Sequence, residues 1–221
     1  MKNWNDLKTF FAALDKTDYV ILRNFETLSD EFLNESHPDI DLLCSDRDMF
    51  LGLTGSVSRT DDPHDKIHRK VLINGKETAL DVRCVGDGYY DSSWEADILK
   101  NRVPACHMFY IPDEVNYYYS LLYHVLIQKN SVSEDYKTRL TDMAAKIDDQ
   151  PEDPLSIRTL EKFMKSRNYC YTYPEYSGAV LNLENADKTM VRTDPYRKFK
   201  RDLRHFREII RAAIPGEKKH G

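Results

Sequence analysis

Asp39-Ile40-Asp41 places two carboxylates two residues apart, at the start of the apolar run Ile40-Asp41-Leu42-Leu43-Cys44. On a β-strand, residues i and i+2 project from the same face, so a strand over 40–44 would hold both acids side by side. Like charges at that spacing repel, and each raises the other's pKa unless a cation stands between them. A hard divalent cation bound by oxygen ligands, Mg²⁺ by preference, is the matching chemistry. Asp-x-Asp alone also arises where one acid caps a turn and the other is solvated. What separates the two readings is whether a third acid and suitable cations reach the same place.

Asp81 is the candidate third acid. Residues 67–73 and 78–85 read as two strands, and Asn74-Gly75 between them is a strong hairpin signal. In the second strand Leu80, Val82 and Cys84 alternate with Asp81 and Arg83, so a carboxylate sits mid-strand where half-burial demands a reason. A cross-strand Asp–Arg pair is one reason, and a shared site with Asp39 and Asp41 is the other. Arg23 and Asn24 arrive at the end of a buried strand over 19–23, and two adjacent buried strands with polar groups at neighbouring ends build a cleft.

The elements that must position these residues follow from periodicity. Trp4, Leu7, Phe10, Phe11 and Leu14 mark an amphipathic helix over 3–15. Further helices are expected over 46–53, 94–101, 114–129, 134–147 and 155–167, with one helical turn at Asp30–Leu33. Ser92 or Ser93 is the expected cap of the second of these. His124 reads as a packing histidine, and Lys129 as a surface lysine at a helix end. The Pro- and acid-rich stretch 148–154 reads as a boundary. After it, 169–173 and 179–183 read as a hairpin. Residues 195–214 read as an amphipathic helix with Phe199, Leu203, Phe206, Ile210 and Ala213 on one face. Its basic face is expected to dock on the acidic remainder of the chain.

Composition narrows the function. A net charge of −5 over 221 residues makes nucleic acid an unlikely partner. Eight glycines and the absence of GxGxxG and GxxxxGK[ST] leave no glycine-rich phosphate cradle. Cys44, Cys84, Cys106 and Cys170 form no CxxC pair, which fits a reducing, cytoplasmic setting. The start MKNWNDLKTF lacks the apolar core of a signal peptide, and no apolar run is long enough to span a membrane.

The order strand, Asp-x-Asp strand, helix, hairpin with a third acid resembles the nucleotidyltransferase fold of the polymerase-beta superfamily. The likeness covers about residues 4–85. His37-Pro38-Asp39-Ile40-Asp41-Leu42-Leu43 is similar to the H-x-D-h-D-h-h version (h apolar) of antibiotic nucleotidyltransferases, and the LicD/fukutin group of phosphosugar transferases likewise places a DxD early. The resemblance implies an α+β fold, a mixed sheet flanked by helices. It implies a catalytic domain over 1–112, a helical extension over 113–150, and a small C-terminal hairpin-plus-helix region over 151–221. It also implies Asp39, Asp41 and Asp81 as ligands of Mg²⁺, Arg23, Asn24, Arg83 and Lys70 as partners of phosphate oxygens, and transfer of a nucleotidyl or phosphoryl group. The donor would be a nucleoside triphosphate or nucleotide-activated compound. The acceptor would be a hydroxyl of a small molecule or sugar, as in surface polysaccharide synthesis. The family's usual glycine pair is replaced here by Arg23-Asn24-Phe25-Glu26. The alternative is therefore a non-catalytic module of the same fold that binds a partner or membrane surface through its basic C-terminal helix.

Overall fold

A computed structural model describes residues 1–28, 38–62, 65–148 and 150–213. The turn expected at Asp30–Leu33, and His37, lie outside them. The fold is α+β: a mixed sheet with helices packed on both faces.

The sheet is built from β1 (Asn3–Trp4), β2 (Tyr19–Ile21), β3 (Asp39–Cys44), β4 (Val57–Ser58), β5 (His68–Ile73) and β6 (Lys76–Cys84). Its order is β1-β5-β6-β3-β2, with β4 also on β5. β3 is an interior strand, antiparallel to β2 and parallel to β6. The hairpin between β5 and β6 turns at Asn74 and Gly75, which adopt φ of 51° and 74°. Both positions demand the left-handed region, which Asn and Gly tolerate best.

Alternation along the strands assigns two cores. Ile40, Leu42 and Cys44 of β3, with Leu80 and Val82 of β6, face α1 (Leu7–Ala13) and α2 (Arg47–Thr54). Asp6 and Asp46 cap these helices by accepting from Thr9 N and Met49 N. Val20, Leu22 and Leu43 face the other way, onto α3 (Ser92–Lys100), α4 (Glu114–Ile127), α5 (Glu134–Ala144) and α6 (Ile157–Ser166). α4 is buried almost all round, as a central helix should be. Trp94 anchors this second core, donating from Nε1 to Asn116 Oδ1 at 3.0 Å and stacking on Tyr169. The same apolar cluster runs from Tyr89 to Met190, across residue 150. A separate hairpin, β7 (Val103–Ala105) with β8 (Phe109–Ile111), closes the edge beside β2.

Three local expectations change. Asp91, not Ser92 or Ser93, caps α3, accepting from Ser93 N. The hairpin expected over 169–183 does not form. Tyr171 N instead donates to Met190 O, and Tyr171 O accepts from Arg192 N, so the extended segment pairs with 190–192. The helix expected over 3–15 starts only at Leu7, because Asn3 and Trp4 pair with β5 as β1. The helix α7 (Pro195–Ala213) forms with its basic side on the body, as expected, and Phe199, Leu203, Phe206 and Ile210 face outward.

Gly88 shows how tightly the loop after β6 is held. Its φ is +78°, and a Cβ there would lie 2.5 Å from both Tyr173 O and Arg197 Nη1. Gly88→Ala is expected to cost about 2–4 kcal/mol, read as a lowered urea midpoint, because a side chain there meets the Tyr173 backbone and takes a φ that L residues rarely adopt.

Candidate functional site

β3 and β6 run parallel in a register that sets Asp41 beside Asp81 as Cα partners. By strand alternation Asp39, Asp41, Asp81 and Arg83 share the face opposite to Ile40, Leu42, Leu80 and Val82. The three acids and Arg83 thus meet in one cleft of about 350 Å³ that also receives Arg23, Asn24 and Tyr89. The C-terminal end of α4 closes it with His124, Gln128 and Lys129. A larger cavity, about 780 Å³, shares Asn24 and Asp39 with the cleft and continues past Glu26, Tyr117, Arg139 and Met143.

The cleft is electrically divided. Arg23 Nη2 donates to Asp41 Oδ1 at 2.7 Å, and Arg59 Nη2 to Asp81 Oδ1 at 3.0 Å. Burial is the largest influence on Arg23 and works against its charge, but Asp41 together with Tyr89 and Tyr90 outweighs it and holds the pKa well above the usual value. The Asp39 carboxylate has no ion pair or hydrogen bond among the described residues. Loss of hydration, followed by the charges of Asp41 and Asp81, pushes its pKa up to about 6. Its residue surface is nevertheless open at the cleft mouth. Arg83 is the converse: 8% exposed, with Nε lacking any hydrogen-bond partner and no carboxylate paired with it among the described residues. Its guanidinium stacks 4.3 Å from the Tyr89 ring. His124 is held neutral, chiefly by burial and then by the charge of Arg23, and its Nδ1 lies 3.2 Å from Gln128 Oε1.

The chemistry of the donor set fits a hard divalent cation: oxygen ligands, and at Asp39 a crowding of negative charge that a cation would relieve. It is not a formed cage. No group of three or more His, Cys, Asp or Glu is arranged to hold a metal ion among the described residues, and Asp41 and Asp81 are each paired with an arginine.

The structure gathers Asp39, Asp41, Asp81, Arg23, Asn24 and Arg83, but not Lys70. Lys70 pairs with Glu77 at 2.9 Å and lies outside the cleft lining. Where glycine was missing, Asn24 itself takes the left-handed conformation, φ 59°, so the chain makes the turn without glycine. Arg59, His124, Gln128 and Lys129 are additions. Arg59 comes from a loop after β4 with no sequence signal. His124 and Gln128 carry one: two polar residues one helical turn apart at the end of an apolar helix. The tyrosines are mostly core, with Tyr90, Tyr118, Tyr123 and Tyr171 almost fully buried, while Tyr89 lines the cleft.

Comparison with protein-family models, curated proteins and solved structures returns no match.

Proposed function

We propose that this cleft transfers a nucleotidyl or phosphoryl group from a nucleoside triphosphate, or a nucleotide-activated donor, to a hydroxyl of a small molecule or sugar. The observation that carries the reading is Arg83, a buried cation without an acidic partner among the described residues, set on the same sheet face as three carboxylates. Acids alone would serve a cation, and arginines alone an anion. Both in one cleft match a cation–polyphosphate pair.

Asp39, Asp41 and Asp81 would hold Mg²⁺, which when bound supplies neutralising charge for phosphate oxygens. Arg83 and Lys129 bind phosphate oxygens, and Arg23 joins them by exchanging its bond to Asp41. Asp81 takes the proton of the acceptor hydroxyl. The acceptor oxygen forms a new P–O bond as the bond to the leaving phosphate breaks on the opposite side. The larger cavity beside Asn24 and Asp39 supplies room for the acceptor. Acceptor-dependent release of pyrophosphate (nucleotidyl transfer) or of nucleoside diphosphate (phosphoryl transfer), with Mg²⁺, each of the four triphosphates and a panel of sugar and amino-alcohol acceptors, tests the reading. No release with any combination would reject transfer to these acceptors.

Cation affinity is expected to depend on pH through Asp39. Its carboxylate must be ionised to bind, so Mn²⁺ affinity measured by calorimetry should be full at pH 7.5. It should weaken by up to about tenfold per unit as pH falls below about 6. A flat profile down to pH 5 would remove Asp39 from the ligand set.

A second reading, a fold retained without turnover, is favoured by the two ion pairs that occupy Asp41 and Asp81. Absence of any thermal shift with Mg²⁺ and all four triphosphates would select it.

A further inference from the structure

α7 is mounted with its basic side inward. Arg197 donates to the carbonyl oxygens of Gly86, Asp87 and Tyr173, and Arg201 donates to Ala179 O at 2.6 Å. Arg204 lies over the Tyr176 ring. The apolar stripe, spaced three and four residues apart at Tyr196, Phe199, Leu203, Phe206 and Ile210, therefore points to solvent. Those five side chains are 37 to 67% exposed, and Ile209 beside them is 53% exposed. An amphipathic helix ordinarily buries that side. A contiguous apolar strip of this kind marks a surface that something else covers.

We propose that α7 rests on an anionic membrane surface, with the aromatic stripe at the boundary between headgroups and acyl chains. This rests on α7 alone and not on the chemistry of the cleft. Charge selects the occupant. α7 carries seven Lys and Arg against two acids, a net +5, in a chain of net −5, so the remainder is −10. An anionic surface attracts this helix and repels the rest of the molecule, which fixes the orientation. Lys200 and Arg207 are exposed beside the stripe, where their long stems can carry charge to headgroups while lying on apolar surface. Tyr196, Phe199 and Phe206 are residues that favour such an interface. Attachment is to the surface only, since among the described residues no helix is long and apolar enough to cross a membrane.

A second copy is a poorer occupant. Among the described residues, the other exposed large apolar side chains are Met1, Met49 and Val103, so the body presents no apolar receptor for the stripe. Only stripe-on-stripe pairing would cover it.

Co-sedimentation of the full chain with vesicles decides the matter. Vesicles of phosphatidylcholine containing about a third phosphatidylserine are expected to retain the protein, and pure phosphatidylcholine vesicles to retain at least about tenfold less. Phe199→Glu with Phe206→Glu should abolish retention without lowering the thermal midpoint, because both side chains are exposed. Lys200→Glu with Arg207→Glu should reduce it on anionic vesicles, and added salt should do the same to the unaltered chain. No retention on anionic vesicles, or retention unchanged by the double phenylalanine variant, would overturn the proposal. So would a dimer in sedimentation velocity that this variant dissolves while vesicle binding is absent.

Discussion

Asp39→Asn is expected to abolish cation-dependent turnover, by at least about 10²-fold, and at the same time to make the protein more stable at pH 7. The two effects share one cause. Asp39 stands beside Asp41 and Asp81 with no cation of its own among the described residues, and its pKa is pushed up to about 6. The folded pKa lies above the 3.8 of an unperturbed aspartate. Its contribution to stability is therefore present in full below pH 3.8, and is lost as pH rises through about 6. At pH 7 the ionised carboxylate works against folding, and an amide removes that penalty. After discounting for solvent screening at an open position, the gain is about 1 kcal/mol, or roughly 2–4 °C in melting temperature. At pH 4 the gain should fall away. Asp41→Asn must behave oppositely in stability. Asp41 is the counter-charge of the buried Arg23, and its loss leaves that cation unpaired, at a cost of about 2–4 kcal/mol. Both variants should lack turnover, so activity and stability separate in one and fall together in the other. Melting curves at pH 4 and 7 with a single-turnover assay read all four values.

Arg83→Gln is expected to weaken triphosphate binding by about 10–100-fold while leaving stability nearly unchanged. Removal of a buried charge is normally severe because it orphans a partner, but here no acid is paired with Arg83 among the described residues. What is lost is the stacking on Tyr89, about 0.5–1 kcal/mol, and what is gained is relief of a desolvated cation. A buried arginine held for structure alone would show the reverse, with a fall in melting temperature and unaltered affinity. Titration calorimetry with Mg²⁺ and each triphosphate, run beside thermal melts, distinguishes them.

The carboxylate constellation was legible in the sequence because it depends on short-range geometry. Asp39 and Asp41 share a face by strand alternation, and the Asn74-Gly75 turn sets the strand that returns Asp81 toward them. The register that makes Asp41 and Asp81 neighbours is a consequence of β3 and β6 burying Ile40, Leu42, Leu80 and Val82 together. The cations were only partly legible. Arg59 reaches Asp81 from a loop, and Lys129 reaches the cleft because α4 packs across the sheet, which no local pattern encodes. The same gap explains Lys70. It lies on the hairpin that carries Asp81, but Glu77 on the neighbouring strand takes its charge. The segment 169–183 misled for a different reason. Alternating Tyr169 and Tyr171 mark an extended stretch correctly, yet pairing is chosen by whichever backbone the core brings alongside, here 190–192. In α7 periodicity identified which residues share a face, and the contrast between its basic side and the acidic remainder indicated which face turns inward.

The most direct test of the cleft is calorimetric titration of the four nucleoside triphosphates, with and without Mg²⁺, into the unaltered chain and into the Asp39→Asn, Asp41→Asn double variant. At least one triphosphate should bind saturably, only with the cation, and only when both carboxylates are present. Binding that ignores the cation or survives the double substitution, or no binding of any triphosphate to the unaltered chain, would contradict the assignment of this cleft.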